Sequence, residues 1–231
     1  MNDIEVVDLG RINYEDALVK QQYYAEKVQT EHPYRAYILL REHDHVCTLG
    51  KHGHENNMLV NSDFLKSIGA NFYKIDRGGD ITYHGPGQLV VYPILNLNNW
   101  DIGIKKYMDR IEESIIRLVS RYGIEAGRSH GATGVWIGNA KICAIGVKVL
   151  HFITYHGLAL NVNTDLKYFS YINPCGFVDK QVCSLASLTH HPIDMSTVKT
   201  QFIEEFTKCF LGGKYNEMSI VTNRAFGEYT K

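Results

Sequence analysis

The chain has 231 residues, 45 % of them apolar and 21 % charged, which suits one large globular domain, residues 1–231, whose core is rich in its fifteen Tyr and nine Phe. Its 24 basic and 25 acidic side chains nearly cancel, so it lacks the basic stripe that a phosphate backbone needs, and nucleic acid is not expected as a partner. No run approaches the roughly 18 uninterrupted apolar residues of a membrane span.

The start, Met1-Asn2-Asp3-Ile4-Glu5, has neither the basic and apolar parts of a secretory leader nor the Arg-rich character of a transit peptide. A cytoplasmic location is therefore expected, with Cys47, Cys143, Cys175, Cys183 and Cys209 as free thiols. No CxxC pair or His/Cys cluster has zinc-ligand spacing, so neither a metal nor a cofactor is expected.

In chain order, the first predicted helix runs from about Tyr14 to Val28, with Asn13 as its N-cap and Glu15 and Asp16 in the first turn. Short apolar runs at Ala36–Arg41, Val46–Leu49 and Phe72–Ile75 read as strands, as does Gln88–Leu97. A second helix, Ile104 to Arg121, puts Ile104, Met108, Ile111, Ile115 and Leu118 on one face, and Gly123 ends it. Gly134–Ile137, Ile142–Leu150 and Ile153–Val162 are further strands, with Gly138-Asn139 as a tight hairpin. A third helix starts after Ser196 and carries Val198, Phe202, Phe206 and Phe210 on one face. Strands outnumber helices without regular alternation, so an α+β domain with a mixed or antiparallel sheet is expected.

Three segments carry chemistry. Arg77-Gly78-Gly79-Asp80-Ile81-Thr82-Tyr83-His84-Gly85-Pro86-Gly87-Gln88 holds four glycines among more hydrogen-bonding side chains than a turn requires, which favours a ligand-holding segment. Lys141 interrupts an otherwise apolar strand. Desolvation there would lower its pKa, though local sequence alone favours an edge lysine that blocks aggregation. Cys175, in Asn173-Pro174-Cys175-Gly176, sits on a rigid turn, where a nucleophile and a buried small residue stay equally open. The other four cysteines read as buried, and His156, in the softer Tyr155–Asn163 segment, reads as a site residue or a satisfied core histidine, with the core reading slightly favoured.

Together these blocks resemble the lipoyl(octanoyl) transferase family, the octanoyl-acyl carrier protein–protein N-octanoyltransferases. R-G-G-D-I-T-Y-H-G-P-G-Q with Tyr92-Pro93 looks like the family signature, and W-I-x-x-x-K-I-x-A-I-G, H-G-x-A-L-N-V-N and P-C-G follow in family order, from about Ala36 to Leu188. Ser129-His130-Gly131-Ala132-Thr133 and Cys143 depart from the family pattern.

The resemblance implies the biotin/lipoate-protein ligase catalytic fold, a mixed β-sheet flanked by helices. It implies octanoyl transfer from octanoyl-acyl carrier protein to a lipoyl-domain lysine, the first step of endogenous protein lipoylation. The acceptors would be E2 subunits of 2-oxoacid dehydrogenases and the H protein of glycine cleavage. Cys175 matches the acyl-thioester nucleophile and Lys141 the lysine that lowers its pKa. Substrate-binding roles carry over to Arg77, Gly78, Gly79, Asp80, Ile81, Thr82, Tyr83 and His84, to Ala144, Ile145 and Gly146, and to Gly157, Leu158 and Ala159. The alternatives are an ATP-dependent lipoate-protein ligase, which would not need Cys175, a non-catalytic acyl-binding protein, and an amidotransferase that moves lipoyl groups between protein lysines and differs only in its donor.

Overall fold

The computed structural model describes residues 2–173, 181–212 and 220–221. The chain opens with β1 (Asp3–Arg11), α1 (Tyr14–Thr30) and β2 (Arg35–Glu42). β1 and β2 are parallel neighbours, Val6 opposite Ile38, so α1 is the crossover that joins them. The side chain of Asn13 caps α1, its Oδ1 accepting from the Asp16 amide at 2.8 Å.

Next come β3 (Val46–Leu49), α2 (Ser62–Ser67), β4 (Asn71–Lys74), β5 (Ile81–His84), β6 (Gln88–Ile94) and α3 (Ile104–Ser120). They are followed by β7 (Gly127–Ser129), β8 (Ala132–Ile137), β9 (Ala140–Leu150), β10 (Ile153–Asn161), β11 (Gln181–Val182), α4 (Leu185–Thr189), α5 (Met195–Leu211) and β12 (Ile220–Val221).

Nine of these strands form one mixed sheet in the order β12-β1-β2-β6-β10-β9-β8-β7, with β11 parallel to β9. β3, β4 and β5 form a second, three-stranded sheet. The fold class read from the sequence is therefore the one observed. Alternation along β6 sends Leu89 and Val91 to one face, where α3 and α5 bury Ile111, Ile115, Leu118, Phe202 and Phe206. It sends Val90, Tyr92 and Ile94 to the other, against Ala17, Tyr24 and Val28 of α1. Beside the start of α1 lies the small sheet, with Tyr14 stacked on Tyr73 of β4 at 5.3 Å.

The three expected helices are present. The last begins at Met195, two residues earlier than the apolar stripe suggests, because Asp194 accepts from the Thr197 amide and caps it. Gly138 and Asn139 make the tight turn between β8 and β9, with Gly138 at φ 56. β1 and β5 were not read from sequence. β1 serves two cores at once, Val6 on the α3/α5 side and Val7 on the α1 side, so charged neighbours break its pattern. β5 lies inside the glycine-rich segment.

Candidate active site

A cavity of about 400 Å³ opens between the large and small sheets. Its floor is made of small residues in register across three strands: Ala144 opposite Ala159, Gly146 opposite Gly157, and Ala159 opposite Val90. Small size is a requirement here. A Cβ on Gly157 would lie 2.2 Å from the Val91 carbonyl oxygen, and one on Gly146 would lie 2.8 Å from that of Gly78. The glycine-rich segment is the roof, fastened by the Gly78 amide donating to the Val147 carbonyl at 2.9 Å. Gly146→Ala is accordingly expected to lift this roof and cost about 1–3 kcal/mol of stability, read as a lower urea midpoint.

The roof side chains divide into two kinds. Arg77 is buried, its Nη2 donating to the Thr48 carbonyl at 2.7 Å and to Thr48 Oγ1 at 3.0 Å, so it ties β3 to the segment while lining the cavity. Asp80 accepts from the Ile81 amide at 2.7 Å and from Asn57 Nδ2 at 2.6 Å. Gly79, Asp80, Ile81, Thr82 and His84 all line the cavity. Tyr83 points the other way, stacked on Tyr168 and bonded through its hydroxyl to His45 at 2.7 Å. A Cβ on Gly85 would fall 1.9 Å from that hydroxyl, so Gly85 makes room for Tyr83. Neither Tyr83 nor Gly78 lines the cavity.

A buried amide chain fixes the tautomer of His84. Asn161 Nδ2 donates to the Cys183 carbonyl at 3.0 Å, which leaves Asn161 Oδ1 to accept from Gln88 Nε2 at 2.9 Å. Gln88 Nε2 also donates to the Tyr83 carbonyl at 3.1 Å, so Gln88 Oε1 faces His84 Nδ1 at 2.8 Å. That imidazole nitrogen must carry the proton. Burial, outweighing its Gln88 bond, pushes the His84 pKa down to about 3, and burial takes His156 to about 4 against the opposing pull of Asp76. Both rings are neutral at physiological pH.

At the opposite end Lys141 enters the cavity, its Nζ 4.7 Å from the centre of the Trp136 ring. Cys175 lies outside the described residues. Both described flanks of its segment border the cavity: Phe169 on one side and Val182 on the other line it, and Val182 pairs with Lys141 across β11 and β9. The Asn173 amide donates to the Asn57 carbonyl at 2.7 Å, and Asn57 in turn holds Asp80 of the roof.

The other four thiols are poor nucleophiles. Burial pushes Cys47 up to about 12 and Cys183 to about 11, and raises Cys143 and Cys209 above the ordinary thiol value. Cys143, two residues from Lys141, packs into the core under α3 and α5.

Several lining residues were not singled out from sequence. Tyr14 belongs to the α1 stripe and is buried, as is His156, and both line the cavity. His52 arrives from the loop after β3, and no local signal marks it. Among the described residues no group of three or more His, Cys, Asp or Glu could hold a metal, and no helix is long and apolar enough to cross a membrane.

The sequence profile of the lipoyl protein ligase A/B catalytic domain matches residues 13–207. An octanoyltransferase of Bacteroides thetaiotaomicron is 51 % identical over 221 residues, covering 92 % of this chain and 95 % of that protein. The chain belongs to the octanoyltransferase family. This family of acyltransferases includes a Flavobacterium johnsoniae member that is 44 % identical over 223 residues, covering 90 % of this chain and 96 % of its own length. Solved structures share the family's fold at lower identity. A lipoate-protein ligase A bound with ATP aligns with a TM-score of 0.73 at 16 % identity, over 90 % of this chain and 85 % of that one. A biotin protein ligase of Aquifex aeolicus aligns with a TM-score of 0.50 at 10 % identity, over 92 % and 71 %.

Proposed function

We infer that the chain transfers an octanoyl group from octanoyl-acyl carrier protein to a lysine of lipoyl domains, through a thioester on Cys175. The supporting observation is the cavity itself: a floor of small residues, one end occupied by Lys141, and both flanks of the Cys175 segment on its rim. In the first step the Cys175 sulfur attacks the thioester carbonyl, its proton passes to Lys141, and the carrier's thiol leaves with a proton. In the second, the acceptor's ε-amine attacks the enzyme thioester, an amide forms, and the Cys175 thiol is restored.

The octanoyl tail would lie along Ala144, Gly146, Gly157 and Ala159. Burying its seven CH₂ and CH₃ groups supplies roughly 5–6 kcal/mol of gross binding. The acceptors in this reading are the lipoyl domains of 2-oxoacid dehydrogenase E2 subunits and of the glycine cleavage H protein. One solved neighbour is a bipartite lipoate protein ligase of Thermoplasma acidophilum described with its E2 lipoyl domain, at a TM-score of 0.73 and 16 % identity over 96 % of this chain and 89 % of that one.

Intact-mass spectrometry after exposure to octanoyl-acyl carrier protein tests this. One octanoyl group, mapped to the Cys175 peptide and released by hydroxylamine, is the expected result. Labelling of a lipoyl domain from free octanoate that needs ATP and no Cys175 would instead identify a ligase.

A further inference from the structure

Three residues beside the cavity, Arg41, His43 and Tyr92, form a hydrogen-bond chain that the transfer chemistry leaves unused. Arg41 is fully buried, and its Nη2 donates to the Ile12 carbonyl at 2.7 Å and the Asn13 carbonyl at 3.3 Å. The same nitrogen contacts His43 Nδ1. A guanidinium has only donors, so His43 Nδ1 must offer its lone pair. Burial, with Arg41 adding to it, holds the His43 pKa well below the ordinary value, so the ring is neutral. Its one proton therefore sits on Nε2, 2.9 Å from the Tyr92 hydroxyl oxygen. That oxygen accepts, and its own proton must find another acceptor. None exists among the hydrogen bonds of the described residues, and Tyr92 lines the cavity.

Register places the Tyr92 position at the far end of the acyl path. Lys141 and Gly146 are five residues apart on β9, roughly 17 Å of strand, and Gly146 is opposite Gly157. Gly157 and Tyr92 meet at this end, along with Tyr14 and His156. Around Lys141 the lining residues Gly131 and Thr133 are exposed, whereas Tyr14, Tyr92 and His156 back the far part of the cavity as buried side chains, beneath a roof whose Gly79 and His52 reach solvent. A hydrocarbon tail entering from Lys141 thus runs over small residues and then meets a polar wall.

We propose that Tyr92 limits acyl chain length by polarity, its O–H fixed toward the cavity by Arg41 and His43. The proposal rests on the octanoyl-transfer reading. A chain that stops short leaves room for a water to accept the proton. A longer chain removes that water and leaves a buried O–H with no acceptor, which disfavours it. Steric limitation predicts something different, because phenylalanine fills nearly the same space as tyrosine.

The test compares decanoyl- with octanoyl-acyl carrier protein in loading of the enzyme, as the ratio of kcat/KM values. Tyr92→Phe is expected to raise the decanoyl-to-octanoyl ratio about tenfold, the scale of one relieved unsatisfied group. The pair Tyr92→Phe with His43→Leu removes both partners and should give the same ratio, which covers misfolding of the single variant. Nitrogen-15 spectra of the unmodified protein should show His43 protonated on Nε2. An unchanged ratio, a shift toward shorter chains, or a His43 proton on Nδ1 overturns the proposal. Normal octanoyl loading with an unchanged ratio overturns it alone, whereas no loading of Cys175 from either donor removes the octanoyl reading and this proposal with it.

Discussion

Cys175→Ser is expected to lower octanoyl transfer by at least about a thousandfold while leaving the melting temperature near that of the unmodified protein. Serine is a small conservative change, so a folded but inactive protein is the informative outcome. The buried state of Cys47, Cys143 and Cys183 sharpens this, since each is held protonated by its surroundings. Brief iodoacetamide treatment should then label Cys175 ahead of the rest, and Lys141→Ala should move that labelling to higher pH. The measurement is a steady-state transfer assay beside a thermal melt and a peptide map. Substantial transfer by the serine variant would reject the thioester route, whereas an unshifted labelling profile in Lys141→Ala would reject only the pairing of lysine with sulfur.

Acid should unfold the protein through its buried histidines. His84 and His156 have folded pKa values of about 3 and about 4, both depressed chiefly by burial, against an unfolded value near 6.5. Below pH 6.5 the unfolded chain takes up protons that the native rings refuse. Stability is therefore unaffected by these groups above pH 7 and falls as pH drops toward 4. At pH 5 the cost is about 2 kcal/mol for each of the two, or about 4 kcal/mol together, a large part of the 5–15 kcal/mol typical of a domain. His43, shifted in the same direction by burial, adds to it. Urea midpoints measured from pH 8 to pH 5 should be flat at first and then fall steeply. His156→Asn should flatten the fall. Asparagine tolerates the positive φ of 56 found there and cannot take up a proton. A midpoint that stays level down to pH 5 would mean that these rings are not held neutral.

How much of this was legible in the sequence depends on how local each signal is. The stripes of α3 and α5 were readable because both helices present one apolar face to one core. Asn13 and the Gly138-Asn139 turn were readable because capping and tight turns are local chemistry. β5 was hidden because Gly78, Gly79, Gly85 and Gly87 around it look like a continuous loop, although much of the glycine serves close packing of chain on chain. Tyr83 illustrates the limit of a motif. Its neighbours Thr82 and His84 line the cavity, while strand alternation turns it into the small-sheet core. His52 and Tyr14 reach the same cavity from distant parts of the chain, and their places follow from the way two sheets and one helix meet.

The crossover between β1 and β2 also has a consequence for biosynthesis. α1 must lie over the sheet to join two parallel strands, and its first residue, Tyr14, becomes a wall of the cavity. The wall leaves the ribosome early, but the floor strands β9 and β10 follow about 130 residues later, on the order of ten seconds at ordinary translation rates. Before the later elements emerge, the nascent chain displays Ala36, Ile38 and Leu40 of β2, which α3 and α5 afterwards cover, and the open β2 edge that β6 later occupies. A trigger-type holdase, or slow codons placed after β2, would act in that window, and a version lacking β1 and α1 would keep the floor strands uncovered after release.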